Sequence, residues 1–343
     1  MRRLSLLVLA GAMVAWAPSA VEAQDVGQLF QQINPSVVVI RGKGREVSAT
    51  RGISQFTETG SGVLVSADGK IITAAHVVHQ LDEITVEFLG GETVKANIIA
   101  SEPAADLSLL QLASVPKSAQ VARLGDSDKV KVGDQVVVVG APYGLSYSLS
   151  VGWISAKWAP NTAYRAMPLA EFFQTNATIN TGNSGGPMFN MAGEVIGIVS
   201  HIISKSGGSE GLGFVVTLKT ARHFLMEKKS IWGGLDGIFL TGDLAEVFNV
   251  PGGTGFLVKN VAKGSPAWDA GILGGDRIAT IGGQEIVVRG DVLLEAAGIL
   301  IKHANDMVAI REKLGTMQPG APFTIKALRA GKVVELTGKV PSQ

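Results

Sequence analysis

The sequence predicts a mostly β protein, and three observations lead to that prediction. Short runs rich in β-branched residues recur about every ten residues from Pro35 onward, and glycine, aspartate, asparagine and proline separate them. No convincing helical period occurs before Leu218–Lys228. The 43 glycines follow no collagen period and indicate many turns and close backbone approaches. This spacing favours a β-sandwich or β-barrel over alternating βαβ units.

The elements begin with a short arm, Asp25–Gln32, which the pattern predicts to be helical or extended. Candidate strands follow at Val37–Ile40, Gly62–Val65, Ile71–Ile72, Ile84–Phe88, Leu107–Leu112, Val136–Val139, Trp153–Ile154, Val195–Val199 and Gly213–Val216. A second module begins near Ile231, and its candidate elements are a glycine-rich strand at 233–240, a short helix at Asp243–Phe248, a strand at Phe256–Val261, a helix at Asn305–Leu314, and strands at Phe323–Leu328 and Val333–Leu336. The connecting segment Lys229–Gly234 is short and contains glycine, so relative motion of the two modules is expected.

The composition excludes several classes of function. With 343 residues, the chain is long enough for about two domains, and its apolar fraction of 46% can fill real cores. Lysine and arginine together number 30 against 29 acidic residues, which argues against nucleic acid or an anionic membrane as the main partner. Because there is no cysteine, disulfides, thiolate metal sites and cysteine nucleophiles are excluded. The sequence gives no indication of a metal or an organic cofactor.

Residues 1–23 are expected to be a signal peptide and not part of the fold. Two arginines precede an apolar segment, Leu4–Ala17, which Pro18 ends, and Val21–Ala23 offers small residues for cleavage. An uncleaved membrane anchor is the alternative, but the apolar run is shorter than the roughly 20 residues that a spanning helix needs. No later stretch is long and apolar enough to span a bilayer, so we expect export without a stable membrane span.

The segment Thr181–Pro187 is the most informative part of the chain. A serine hydroxyl is a poor nucleophile unless a base takes its proton and donors stabilise the resulting oxyanion. Glycines on both sides of Ser184 allow a tight turn and let a substrate carbonyl approach the amides of Gly182 and Ser184. A plain surface turn is the alternative, yet a Gly-Asn-Ser-Gly-Gly pentamer should arise by chance in roughly one such sequence in five hundred. Ser184 is therefore the candidate nucleophile.

The candidate base is His76, which directly follows a predicted strand and has small neighbours that leave room for its ring. The alternative is a core histidine with ordinary hydrogen-bond partners and no role in catalysis. His79 lies three residues on, and such a pair could bind a metal, but no carboxylate stands where a metalloprotease helix would need it. The other histidines, at 201, 223 and 303, have no comparable setting.

The carboxylate that would orient this base is Asp106, which places one charge at the head of an apolar strand. Burial without a partner would cost several kcal/mol, and an imidazole N–H is a natural partner. A strand-start cap that binds backbone amides is the alternative. His76, Asp106 and Ser184 occur in the chain order of chymotrypsin-like double β-barrels, in which each barrel contributes one side of a cleft.

The chain resembles the HtrA/Deg group of trypsin-fold serine proteases, which carry a C-terminal PDZ domain. The matching stretches are Gly60–Val63, Thr73–Val78, Ala105–Leu107, Leu124–Ser127, Ala141–Leu145, Ile179–Pro187 and Gly211–Val216. The resemblance implies a trypsin-like double β-barrel at residues 24–230, followed by a PDZ domain, a small α+β unit with a partly open β-barrel, at residues 231–343. It also implies that His76 is the general base, that Asp106 orients it and that Ser184 forms the acyl-enzyme. The amides of Gly182 and Ser184 would form the oxyanion hole, and Asn183 would help to shape it.

The strand and loop after the nucleophile are expected to line the primary specificity pocket. Val199, Ile202 and Leu212 are apolar, and no aspartate stands where an enzyme that cleaves after lysine or arginine would need one. We therefore expect cleavage after a small or medium aliphatic residue, as the resemblance also implies. His201 is a departure, because a smaller residue is more usual there.

The second module is expected to bind peptides. Leu235, Asp236, Gly237, Ile238 and Phe239 would supply backbone amides for a C-terminal carboxylate, and the strand edge would accept the peptide by β-addition. An ordinary glycine-rich strand entry is the alternative. Residues 284–303 exceed the simplest PDZ pattern and are expected to add a hairpin.

Family members also imply an assembly and loop control. Their barrels form trimers through the N-terminal arm, so a homotrimer or a multiple of trimers is expected, with Phe30 as a contact or as local core packing. Lys157–Phe173 corresponds to a sensor loop in which Arg165 is a weak candidate for the activating contact. Arg41–Phe56 is shorter than the long inhibitory loop of some members.

The sequence therefore predicts a periplasmic serine-type endopeptidase that degrades unfolded or damaged envelope proteins through an acyl-enzyme and binds C-terminal peptides. Two alternatives remain open at this point. One is a chaperone-like or scaffolding binder with little resting protease activity, and the other is a regulatory protease of one specific envelope partner.

Overall fold

The structure is a computed structural model that describes residues 25–48, 52–141, 147–164 and 167–341. The expected signal peptide at 1–23, most of the Ala141–Leu145 motif and Arg165 lie outside the described residues.

Six antiparallel strands close a first barrel in the order β1-β2-β3-β6-β5-β4. Their bounds are β1 Val37–Ser48, β2 Gly52–Leu64, β3 Lys70–Thr73, β4 Leu81–Glu87, β5 Thr93–Glu102 and β6 Leu107–Leu112. Alternation sets the faces of the strands: Val94, Ala96 and Ile98 of β5 are buried, and the residues between them are exposed. Together with Leu64, Ile71 and the other inward residues they fill the interior of this barrel.

A second ring of six strands follows in the order β11-β8-β9-β10-β13-β12, and pairing of β11 with β12 closes it. Its strands are β8 Gln135–Gly140, β9 Ser148–Trp158, β10 Phe172–Thr175, β11 Pro187–Asn190, β12 Glu194–Ile202 and β13 Gly213–Thr217. A two-residue strand, β7 (Arg123–Leu124), pairs in parallel with β12. The chain is therefore a double β-barrel of the trypsin-like type, as the order of the candidate site residues predicts.

One apolar cluster joins the two barrels. It combines Val37, Leu107 and other residues of the first barrel with Val139, Phe189 and other residues of the second. Helix α1 (Val26–Ile33) packs into this cluster through Leu29 and Ile33, and Phe30 packs against it while remaining partly exposed. The arm is thus helical and is anchored to the cluster that joins the two barrels.

Among the described residues, two more short α-helices lie in the barrels or at their exit, besides short 3-10 turns. Helix α2 (Ala75–Val78) follows β3, and α3 (Leu218–Ala221) continues into a π-helical segment, Arg222–Glu227. This confirms the helical period predicted at Leu218–Lys228. In the segment 41–56, which is expected to be shorter than the inhibitory loop of some family members, residues 41–48 and 52–56 extend the antiparallel pairing of β1 with β2, in which Arg41 faces Thr59 and Ser48 faces Gly52.

The C-terminal part forms its own sheet in the order β14-β15-β18-β20-β21, with β19 paired to β18 and a separate hairpin β16–β17. Its strands are β14 Leu235–Thr241, β15 Thr254–Val261, β16 Arg277–Ile281, β17 Gln284–Val288, β18 Val292–Ala296, β19 Ile299–Leu300, β20 Pro322–Arg329 and β21 Lys332–Lys339, and its helices are α4 Gly242–Val247, α5 Pro266–Asp269 and α6 Ala304–Gly315. Residues 284–303 contain the short β18–β19 hairpin, in agreement with the predicted insertion.

In the described part of the chain, no helix has the length and apolar character needed to cross a membrane.

Candidate active site

His76 lies in α2, directly after β3, where Ala74 and Ala75 on its N-terminal side are almost fully buried. These small side chains let the helix pack close to the barrel while the imidazole points outward, with 45% of its side chain exposed. Its Nδ1 lies 2.9 Å from Oδ1 of Asp106 and 3.0 Å from Oδ2, and its backbone N–H donates to Oδ1 at 3.0 Å. Two donors of one residue therefore hold the same carboxylate.

Asp106 closes the short 3-10 turn Pro103–Ala105, and its backbone is left-handed, with φ 54° and ψ 44°. Aspartate tolerates this region better than most residues, and the amide donates to the carbonyl of Pro103 at 3.0 Å. The turn buries the carboxylate to 2% exposure and directs it at His76. This placement supplies the partner that a buried charge requires.

The electrostatics of the pair follow from burial and mutual charge. Burial alone would raise the pKa of Asp106, but the hydrogen bonds and charge of His76, with a bond from Ser200, outweigh it and lower that pKa. Burial alone would lower the pKa of His76, but the hydrogen bond and the charge of Asp106 outweigh it and raise that pKa. The aspartate therefore stays ionised, and the imidazole is a stronger base than an isolated histidine.

Ser184 lies in a tight turn between β10 and β11, and Gly182 and Gly185 on its two sides have φ values of 100° and 80°. The turn is fastened to both barrels. The amide of Gly185 donates to the carbonyl of Val199 at 2.8 Å, and the carbonyl of Ser184 accepts the amide of Ser61 at 2.8 Å. A Cβ at Gly185 would come within 2.1 Å of Thr73 Oγ1, so only glycine allows this approach to the segment that carries His76.

The Ser184 hydroxyl donates to the carbonyl of Ser200 at 3.4 Å, and between His76 and Ser184, both of them described residues, there is no hydrogen bond. Such bonds are often long without substrate and form in the complex. The two residues are linked through Ser200, whose hydroxyl donates a short hydrogen bond to Oδ2 of Asp106. The structure thus brings His76, Asp106 and Ser184 to one place on the cleft between the barrels.

The candidate oxyanion donors are the amides of Gly182 and Ser184. Among the described residues, the backbone N–H groups of Gly182 and Ser184 have no acceptor. The carbonyl of Gly182 accepts the Ser61 hydroxyl at 2.6 Å, and the amide of Asn183 in the same peptide donates to the carbonyl of Asn180 at 3.0 Å, so both ends of this peptide are held. Asn183 is buried, with only 4% of its surface exposed, and its Oδ1 has no hydrogen-bond partner in the described part of the chain. Two parallel N–H donors beside a serine hydroxyl can stabilise a tetrahedral oxyanion.

The three residues predicted to line the specificity pocket have different environments. Val199 is fully buried in the interior of the second barrel, and its backbone holds the turn of Ser184. Ile202 packs at the border of that interior, and Leu212 is 39% exposed. Ile202 at the end of β12 pairs with Gly213 at the start of β13, the residue after Leu212. Since the backbone of Val199 binds the nucleophile turn, the end of β12 and the start of β13 lie beside that turn. The pocket assignment stays a prediction.

Sequence reasoning did not find the roles of Ser61 and Ser200, and it placed His201 at the expected specificity pocket without a link to Asp106. Ser61 holds the nucleophile turn, and Ser200 binds Asp106, but their hydroxyls carry no local signal because their partners are 121 and 94 residues away in the chain. His201, which was judged to have no setting comparable to that of His76, lies next to this network, with Nδ1 3.1 Å from the Ser200 hydroxyl.

The residues predicted to bind a peptide line a groove between β14 and α6. The cavity there has a volume of about 430 Å³, and its lining includes Leu235, Asp236, Gly237 and Phe239 with Met307 and Ile310. Ile238 alternates away from this groove and packs with the apolar cluster on the opposite side of β14. One wall of the cavity comes from the first barrel, and the carbonyl of Leu235 accepts the buried Nε2–H of His79 at 2.6 Å.

Within the described ranges, no three histidine, aspartate or glutamate residues are grouped closely enough to hold a metal ion. His79 is committed to the carbonyl of Leu235, and burial lowers its pKa against the effect of that bond. A metal at the His-x-x-His pair would need another orientation of this ring.

Comparisons with known proteins agree with this geometry. A trypsin-like peptidase domain model matches residues 60–198. A probable periplasmic serine endoprotease DegP-like from Hahella chejuensis is 32% identical over 375 residues, which cover 98% of this chain and 75% of that protein. The periplasmic pH-dependent serine endoprotease DegQ of Escherichia coli is 30% identical, with 91% of this chain and 69% of that protein covered. The chain spans only 49% of a DegP-like relative from Pseudomonas putida, to which it is 38% identical.

Solved structures lead to the same group. The HtrA-type protease AlgW with a decapeptide has a TM-score of 0.53 and 26% identity, and the match covers 93% of this chain and 99% of that one. The same protease with a tripeptide has a TM-score of 0.53 and 29% identity, over 92% of this chain and 97% of that one. A trypsin-like double barrel with a buried aspartate–histidine pair beside a glycine-flanked serine, together with these relatives, establishes that the chain belongs to the HtrA/Deg family of serine endopeptidases.

Proposed function

We propose that this chain is a periplasmic endopeptidase that degrades unfolded or damaged envelope proteins, with Ser184 as nucleophile, His76 as general base and Asp106 as the orienting carboxylate. The observation that carries the proposal is the convergence of these residues at the seam of the barrels. The three lie far apart in the chain, and hydrogen bonds of His76 and Ser200 hold Asp106 there at 2% exposure. An almost fully buried carboxylate is costly to build, and one that binds an imidazole beside a serine is typical of a reactive site.

The geometry supports acyl transfer. The Ser184 hydroxyl turns from the carbonyl of Ser200 toward Nε2 of His76, which takes its proton as oxygen bonds to the scissile carbonyl carbon. Collapse of the tetrahedral intermediate breaks the C–N bond, and the imidazolium returns the proton to the leaving amine. Water then attacks the acyl-enzyme with His76 again as base, and Ser184 is regenerated. The raised pKa of His76 fits its role as proton acceptor.

The amides of Gly182 and Ser184 would stabilise the oxyanion in both steps. Their freedom from other acceptors in the described residues supports this assignment, and the buried Asn183 between them fixes the turn. Val199, Ile202 and Leu212 would give the primary pocket its apolar character, with preference for a small or medium aliphatic residue before the cut. Cleavage of a peptide library chiefly after arginine would contradict that preference.

For the C-terminal part, residues 231–343, we propose a PDZ domain that binds C-terminal peptides. Amides near Leu235, Asp236, Gly237, Ile238 and Phe239 would receive the carboxylate, and the apolar groove beside α6 would receive the last side chain. The two-layer arrangement of β14 against α6 supports this use. Residues 24–230 would then be the protease domain.

Export through residues 1–23 and a trimeric assembly complete the proposal. The support for the periplasm is the naming of the Hahella and Escherichia relatives as periplasmic endoproteases. For the trimer, the helical arm α1 offers Phe30, which packs locally and is still partly exposed.

Degradation of casein by the purified protein tests the proposed activity. We expect Ser184→Ala to abolish casein cleavage and labelling by a serine-reactive fluorophosphonate, while binding of a C-terminal peptide persists. Ser118→Ala, at an exposed loop serine, is the matched control and should retain both. A labelled peptide that maps to another serine, or an active Ser184→Ala variant, would overturn the assignment.

A further inference from the structure

We propose that His201 is a positioning residue for the catalytic pair and acts through Ser200 on Asp106. This inference rests on the proposed roles of His76, Asp106 and Ser184. His201 and Ser200 are neighbours near the end of β12. The Nδ1 atom of His201 lies 3.1 Å from the Ser200 hydroxyl, and that hydroxyl donates to Oδ2 of Asp106. A chain of hydrogen bonds therefore runs from His201 to the carboxylate that holds His76.

The direction of this chain follows from counting protons. The Ser200 hydroxyl has one proton and three neighbours: the carboxylate of Asp106, Nδ1 of His201 and the thioether of Met167 at 3.7 Å. An ionised carboxylate is the strongest acceptor of the three. Because Ser200 gives its proton to Asp106, its oxygen can only accept from His201. His201 must therefore carry its proton on Nδ1.

The opposite tautomer would have two costs. Nδ1 and the Ser200 oxygen would then face each other with lone pairs only, at 3.1 Å. The proton would lie on Nε2, which is buried and has no hydrogen-bond partner in the described part of the chain. A bare buried nitrogen costs less than a buried N–H without an acceptor. Both considerations select the tautomer that donates to Ser200.

Aromatic neighbours fix the ring in this orientation. The ring of Phe214 is stacked on the imidazole at 5.0 Å with an angle of 6°, Tyr164 lies at 4.6 Å, and Phe172 meets the imidazole edge-on at 5.5 Å. The side chain therefore cannot turn away from Ser200 without losing these contacts. These contacts hold the imidazole beside the Ser200 hydroxyl.

The titratable groups that face His201 keep it neutral as a donor. Burial lowers the pKa of His201, and His76 acts in the same direction, while Asp106 opposes them. The ring of Tyr164 also faces His201. A neutral His201 that polarises Ser200 draws part of the charge of Asp106 away from His76. The imidazole of His76 is thereby held in one orientation and is somewhat less basic than it would be beside Asp106 alone.

Two variants separate the hydrogen bond from the packing. His201→Phe keeps a ring against Phe214 and removes the donor, and His201→Asn removes the ring and keeps an amide N–H near the position of Nδ1. We expect His201→Phe to lower kcat by about fivefold, the size expected for one neutral hydrogen bond, with little change in KM. The acid limb of its kcat/KM profile should move to higher pH. His201→Asn should retain most of kcat, and its acid limb should lie at the same pH as that of the unmodified protein.

A wild-type-like kcat and pH profile in His201→Phe would overturn the inference, and so would an Asn variant as impaired as the Phe variant. Ser200→Ala provides a second measurement, a double-mutant cycle with His201→Phe in which a general effect of the His201 variant on the fold would appear as an additional loss. If His201 acts through Ser200, adding His201→Phe to Ser200→Ala should cause no further loss, and additive losses would contradict the chain. Failure of the proposed function would give a different result, because the Ser184→Ala variant would then still cleave casein.

Discussion

Asp106 combines two features that are each unfavourable in isolation, a left-handed backbone and nearly complete burial of a charge. The surroundings compensate for both. Aspartate tolerates the left-handed region, and three donors, namely the backbone and Nδ1 of His76 and the hydroxyl of Ser200, satisfy the carboxylate. Strain and burial at one residue therefore serve the orientation of the imidazole.

Replacing Asp106 with asparagine tests this role without disturbing the backbone, since asparagine also adopts left-handed conformations readily. The amide keeps the shape but loses the charge, and its NH₂ group would face the ring in place of an acceptor. We expect kcat to fall by about 10⁴-fold with the fold retained. Asp68→Asn, at an exposed turn carboxylate, is the control and should leave casein cleavage unchanged. A loss of less than tenfold would exclude Asp106 as the orienting group.

The raised pKa of His76 predicts the pH dependence of peptide cleavage. The base must be unprotonated, so kcat/KM should fall as the pH drops through a value above the 6.5 of an ordinary histidine. The hydrogen bond and charge of Asp106 cause this rise against the effect of burial. In Asp106→Asn the acid limb of the residual activity should therefore lie at lower pH than in the unmodified protein. A limb at higher pH in the variant would contradict the assignment.

At the scale of single residues, the sequence predicted those site residues whose local setting in the chain is unusual. A charge at the head of an apolar strand, a histidine among alanines and a serine among glycines each stand out, and the structure places them together. Ser200 carries no such signal, and His201 stands out in the sequence only as an unusual residue at the expected specificity pocket. Their importance comes from strand register, since β12 lies beside the turn of Ser184 only after the second barrel closes.

Among the elements, the turn between β10 and β11 depends on a single residue type at one position. Gly185 needs its positive φ and also the space of its missing side chain, because backbone and side-chain atoms of Ser61 and Thr73 surround it. Glycine patterns predicted a tight turn here. They did not predict the strand pairings that bring β2 and β3 against it, nor the long hairpin of residues 41–56, because these depend on contacts distant in sequence.

Gly185→Ala should separate the nucleophile from its base. The new Cβ would lie 2.1 Å from Thr73 Oγ1 and 2.4 Å from the carbonyl oxygen of Ser61, so the turn must move. We expect loss of labelling by the serine-reactive probe and a lower Tm. Gly207→Ala is a close control, since Gly207 has a similar φ of 84° but open space around its Cβ position. Equal effects in both variants would mean that backbone strain alone, and not the close approach, matters at Gly185.

For the whole molecule, two ion pairs of different burial connect the barrels to α6. Arg311 binds Glu102 at 2.6 Å, with side chains only 19% and 3% exposed, just before the turn that leads to Asp106. Lys228 binds Glu312 at 2.9 Å, but these side chains are 44% and 56% exposed. The segment between the modules is also anchored, since the carbonyl of Ser230 accepts the amide of Ser101 at 2.9 Å. The expected relative motion must therefore break these contacts.

Arg311→Ala should loosen this attachment, because it leaves Glu102 buried without its partner, a change that typically costs about 3 kcal/mol or more. We expect a Tm several degrees lower, faster cleavage of the 229–234 segment in limited proteolysis, and tighter binding of a C-terminal peptide, since the wall formed by the first barrel leaves the groove more often. Lys228→Ala removes the exposed partner of Glu312, which lies on the same helix as Arg311. This variant should change Tm by little, since exposed pairs contribute about 0–1 kcal/mol. Unchanged proteolysis in Arg311→Ala, or equal effects in both variants, would show that the buried pair does not hold the modules together.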